Sequence, residues 1–141
     1  MSPSQLKLRV SLLVVGALLL AGCAQERLRE ESQLQMREGK FESAVQLLEG
    51  GITAYPDSAL LRSGLLQARN EAFARLLTEA AGLRASGKLD EAEAVLKRAA
   101  AFDGTGKRVT ALLQDVAVER RQREALAEAN ALVQSGQTAA A

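Results

Sequence analysis

Histidine and tryptophan are absent from this 141-residue chain, cysteine occurs once, proline twice, and aromatic side chains make up 3% of it. Without histidine there is no imidazole general base, no Cys/His nucleophile pair and no thiolate/imidazole zinc site. Neither a catalytic residue nor a metal ligand set is expected, and the chain reads as a non-enzyme without a cofactor. Charge of one sign is also missing: 18 Lys and Arg face 17 Asp and Glu. No basic field exists to hold a phosphate backbone, so nucleic acid is not an expected partner. β-Branched and aromatic residues are scarce and nothing alternates for long, which removes the signal for strands. Ala and Leu dominate instead, and the expectation is an all-α protein whose helices pack through small side chains.

One apolar run stands out near the start. Lys7 and Arg9 precede Val10–Leu20, long enough for a signal-peptide core but short for a membrane span. It leads into Leu20-Ala21-Gly22-Cys23, which resembles the lipobox of bacterial lipoproteins. The resemblance implies that residues 1–22 are a cleaved signal peptide. Cys23 then becomes the lipidated N-terminus, anchored through its acyl chains, and residues 23–27 form a tether. Ala24 follows the cysteine where Asp would retain the protein at the inner membrane. The implied location is therefore the outer membrane of a Gram-negative bacterium, facing the periplasm. Loss of Lys7 and Arg9 leaves 16 basic against 17 acidic side chains, a nearly neutral mature chain.

The rest of the chain repeats itself. Leu77–Gly87 and Leu126–Gly136 are similar at an offset of 49 residues, and Gly87–Ala92 matches Gly39–Ala44 at an offset of 48. In each, Gly-x-(Phe/Leu)-x-x-Ala describes a helix that stops at a left-handed glycine. A second helix then packs its first apolar side chain back across the hairpin. Gly39, Phe41 and Ala44, then Gly87, Leu89 and Ala92, are the turn residues of two hairpins, and Gly136 opens a third.

Around these glycines the chain resembles the tetratricopeptide repeat (TPR) family. The family's small residue seven before the Gly, large apolar residue four before, and apolar residue nine after fall on Ala80, Leu83 and Leu96. Around Gly136 the first two are Ala129 and Leu132. Around Gly39 they are Ser32, Gln35 and Leu48, so the second place is polar. The fold expected is all-α, TPR-like helical hairpins of period 48–49 over residues 28–141, with the third unit truncated.

Between the turns, the runs 57–86 and 107–135 are about twice as long as a repeat's first helix needs. Leu61, Leu65, Ala68, Ala72, Leu76, Ala80 and Leu83 recur at spacings of three and four, so one face stays apolar throughout. Gly64 or Gly82 either breaks this run or merely weakens a continuous helix. Long helices are the expectation. Asp57 or Ser58 would cap the first and Thr105 the second.

Candidate chemistry is sparse. Glu26, Glu30 and Glu31, and Asp90, Glu91 and Glu93, sit at helix starts or beside Arg, as solvated faces do. Glu119–Glu124 carries three Arg in four positions, which read as an exposed helix face rather than a clamp for a carboxylate or phosphate. Gly104-Thr105-Gly106-Lys107 lacks the strand and spacing of a phosphate loop. The TPR resemblance implies a concave groove for a partner peptide or helix, its positions matching Gln33, Met36, Arg37, Ala81, Arg84, Asn130, Val133 and Gln134.

A lipobox followed by Ala/Leu-rich TPR-like units is similar to the N-terminal periplasmic region of lipoprotein secretins of type II secretion and type IV pilus systems. That resemblance implies an outer-membrane-anchored scaffold for other periplasmic or outer-membrane proteins, homo-oligomeric if it belongs to a secretin. The alternative is a free-standing TPR lipoprotein that assists envelope assembly or recruits a cell-wall enzyme.

Overall fold

A computed structural model describes residues 22–136; the apolar run expected to be a signal peptide and the start of the expected third repeat after Gly136 lie outside them. Five helices are present and no strand occurs among the described residues. They are α1 (residues 22–37), α2 (Phe41–Ala54), α3 (Ala59–Ala85), α4 (Leu89–Ala99) and α5 (Lys107–Gln134). Two compact units divide the chain after Glu71. The first contains α1, α2 and the start of α3, and the second contains the rest of α3 with α4 and α5.

In the first unit α1 closes on Gly39, whose φ is +77°. The Gly39 amide donates to the Met36 carbonyl at 3.2 Å and the Lys40 amide to the Gln35 carbonyl at 2.9 Å. This paired closure satisfies the last carbonyls of the helix and needs a left-handed residue at its centre, which glycine supplies without a Cβ clash. The chain re-enters helix at Phe41. Ala44 and Leu48 are buried almost completely, together with Met36, Phe41, Val45, Leu61 and Ala68. Ser32 is buried as well and donates to the Ala44 carbonyl at 3.2 Å. A Cβ on Gly51 would stand 3.0 Å from Leu28 Cδ1 and 3.2 Å from Leu61 Cδ1, so α1 and α3 side chains close in on α2 there.

Helix α3 starts at Ser58, whose Oγ accepts from the Leu61 amide at 3.3 Å and donates to Gln25 Oε1 at 2.6 Å. Of the two capping candidates, Ser58 is therefore the one used. The second contact has a further consequence: residues 23–27, expected as a tether, are the opening turns of α1, and Gln25 fastens them to the start of α3.

Gly64 and Gly82 break nothing. Helix α3 runs through both for 27 residues, about 40 Å at 1.5 Å per residue. Space around Gly82 is open and Leu48 sits 3.7 Å from a Cβ at Gly64, so neither glycine is imposed by crowding.

The second unit repeats the first turn almost atom for atom. Gly87 has φ +81°, its amide donates to the Arg84 carbonyl at 3.0 Å, and the Lys88 amide donates to the Leu83 carbonyl at 2.9 Å. Its core is Ala72, Leu76, Ala80, Leu89, Ala92, Val95, Leu96, Ala99, Val109 and Val116. Arg108 lies over the Phe73 ring, 5.6 Å from its centroid. Helix α5 is capped by Asp103, not by Thr105. The Asp103 carboxylate accepts from the Val109 amide at 3.1 Å, and Thr105 itself donates to it through both amide and hydroxyl. Gly106 in between adopts φ +66°, which lets the chain double back so that a residue six positions earlier reaches the third amide of the helix.

Candidate functional site

The second unit carries an open groove of about 380 Å³ between α3 and α5, with Leu96 of α4 at its base. One wall is Leu77, Ala80, Ala81, Arg84 and Ala85 of α3, and the other is Leu112, Val116, Glu119 and Arg123 of α5. Alanine at three of the five α3 positions leaves the space that larger side chains would fill. The apolar floor follows from the same three-and-four periodicity that buries Ala80 and Val116.

Charge is concentrated at one rim. Arg84 Nε donates to Glu119 Oε2 at 2.5 Å, and Arg123 Nη2 to Glu119 Oε1 at 2.6 Å. Arg84 also stands 4.0 Å from Asp115. Glu119 thus accepts from two guanidiniums at once, and its carboxyl is held below the usual range, chiefly by the Arg84 hydrogen bond. Arg123 reaches further: its Nη1 donates to the Gly87 carbonyl at 3.1 Å, tying α5 to the turn that ends α3. The groove can take an apolar side chain on its floor and polar or charged groups at this rim.

Of the positions assigned to a groove from the repeat pattern, Ala81 and Arg84 line this one. Asn130, Val133 and Gln134 are exposed on the far part of α5 and lie outside its lining. In the first unit Gln33 is half-buried and Arg37 exposed. Met36 differs from the expectation: with 4% of its surface exposed it is a core residue of the first unit and offers almost no surface to a partner. An unbranched apolar side chain one turn before a closing glycine is drawn into the hairpin core. Cys23 is exposed in the opening turn of α1.

Glu119 and Arg123 belong to the groove, although the sequence presents them as part of a solvated block. The other two arginines of that block also have partners. Arg120 Nη2 bonds Asp90 at 2.8 Å and Glu93 at 2.7 Å, fastening α5 to α4. Glu93 also pairs with Lys97 at 2.7 Å, and its carboxyl is lowered to about 2 by the Lys97 hydrogen bond first and Arg120 second. Arg121 is exposed and donates to its own helix at Ala117. Arg120 and Arg123 thus tie α5 to α4 and to the Gly87 turn at the surface of the unit.

Among the described residues no group of three or more Cys, Asp or Glu could hold a metal ion, and no helix is long and apolar enough to cross a membrane. No family model, no curated protein and no solved structure matches the chain.

Proposed function

We propose that this chain is a lipid-anchored periplasmic scaffold built from TPR-like hairpins, which binds a protein partner in the groove between α3 and α5. The observation that carries this reading is the groove itself: an open apolar floor kept clear by Ala80, Ala81 and Ala85 beneath the Arg84–Glu119–Arg123 rim. Its supports are the two hairpins closed by the same glycine turn at Gly39 and Gly87, and the Leu20-Ala21-Gly22-Cys23 motif. A segment presenting an apolar side chain to the floor and a polar group to the rim fits that chemistry. The anchor at Cys23 holds the scaffold on the periplasmic face of the outer membrane, in the manner of the N-terminal region of a secretin of a secretion or pilus machine.

Intact-mass measurement of the protein from membranes tests the anchor. The expected species starts at Cys23 and carries acyl chains, and Cys23→Ser releases the protein from the membrane fraction. An unacylated mass, or a Cys23→Ser protein that stays membrane-bound, rules the anchor out.

A further inference from the structure

Cys23, the residue that the proposed anchor acylates, belongs to the fold itself, with no spacer after it. It is exposed in the opening turn of α1, and two residues on, Gln25 Oε1 accepts from Ser58 Oγ at 2.6 Å. At 1.5 Å per residue Cys23 lies only about 3 Å further along the helix axis than Gln25. A flexible tether of ten residues would instead have a reach of roughly 17 Å and leave the unit free to turn. The α2–α3 connection closes the same end of the first unit, where Gln25 shares an open recess with Tyr55, Pro56 and Leu60. Tyr55 is the chain's one tyrosine and is half-buried there. An apolar ring with a polar tip suits the boundary between lipid headgroups and acyl chains. Charge does not oppose such a contact. Arg62 donates to the Pro56 and Asp57 carbonyls, and its charge offsets that of the Asp57 carboxylate; in α1, Arg29 pairs with Glu26 at 3.1 Å.

We propose, resting on the acylation of Cys23 proposed above, that this end of the first unit sits on the phospholipid headgroup surface. The contact is made by the opening turn of α1 and the loop at Tyr55, Pro56 and Asp57. It is enforced because the acyl chains join a helix that is already docked, so the unit cannot swing away from the bilayer without breaking the Gln25–Ser58 contact. The Gly39 turn, at the other end of α1, then stands off the lipid by the length of that helix, roughly 20 Å. The anchor therefore orients the first unit as well as retaining it.

Tyr55 allows a test without a label, because the chain has no tryptophan. The full acylated chain is reconstituted in phosphatidylethanolamine/phosphatidylglycerol vesicles that carry a nitroxide on the headgroup, and its tyrosine emission is compared with that in vesicles lacking the nitroxide. Emission from Tyr55 should fall at least two-fold. A chain with Tyr55→Phe and Glu38→Tyr moves the reporter to an exposed position beside the Gly39 turn, and should keep nearly all of its emission. Six Gly/Ser residues inserted between Ala24 and Gln25 leave the cleavage motif and the Gln25–Ser58 contact in place, and should abolish the difference between the two positions. Intact mass is measured on every sample. An unacylated chain would remove the anchor and this orientation together. An acylated chain quenched equally at both positions, or one whose contrast survives the spacer, would overturn the orientation alone.

Discussion

Replacing Gln35 by Leu should stabilise the first unit. Gln35 Oε1 is shielded from solvent and has no hydrogen-bond partner, at the position where the second hairpin carries Leu83. A buried acceptor without a partner costs about 1–3 kcal/mol. Leucine removes that cost and adds apolar burial worth roughly 0.8 kcal/mol per methylene equivalent. The backbone carbonyl of residue 35, which closes the Gly39 turn, is unaffected. An increase in unfolding free energy of about 1–3 kcal/mol follows. In urea titrations it appears as a higher midpoint at unchanged slope, because the surface exposed on unfolding scarcely changes. The reciprocal Leu83→Gln should lower stability. A Gln35→Leu chain that is native in helicity yet no more stable than the parent would refute the reasoning, because the oxygen would then cost nothing where it is.

Two glycines separate local conformation from helix propensity. Gly82→Ala, in open space at ordinary helical φ, should raise stability by up to about 1 kcal/mol. Gly87→Ala should lower it by about 1–2 kcal/mol from the left-handed backbone alone, with more from the contact at 3.0 Å to Arg123 Nη1; urea unfolding reads both, and equal effects would contradict the turn assignment. Asp103→Ala should destabilise α5 more than Thr105→Ala, measured by amide exchange at Val109, because Asp103 holds that amide directly. Acid lowers stability through Glu93. Its carboxyl falls from 4.5 to about 2 in the folded chain, so the stabilisation is complete above about pH 5 and is lost as pH falls towards 2. Glu93→Gln should flatten that limb of the stability profile, and an unchanged limb would remove Glu93 as its source.

Much of the fold is legible in the sequence because it rests on local rules. The stripe from Leu61 to Leu83 predicts one continuous face, and Leu61, Ala68, Ala72, Leu76 and Ala80 are buried along an unbroken α3. Gly39, Gly87 and Gly136 are the positions where a helix must end with positive φ, and all three do. What the sequence hides is pairing between distant elements. Glu119 and Arg123 look solvated until Arg84 and the Gly87 turn are brought beside them, so these two rim residues are invisible in a linear reading. The Asp103 cap is hidden for a related reason: it acts across the left-handed Gly106 instead of at the adjacent capping position. Met36 misleads because a position defined by a repeat pattern does not fix which way an apolar side chain turns when the neighbouring place, Gln35, is polar.

The central claim is that the groove between α3 and α5 receives a protein partner. A photo-crosslinking residue in place of Ala81, compared in living cells with one in place of exposed Gln67, tests it most directly. A discrete crosslinked protein at Ala81, absent at Gln67 and lost when Ala85→Trp fills the groove, is the predicted result. Crosslinks that are the same at both positions, or that persist when the groove is filled, would contradict it.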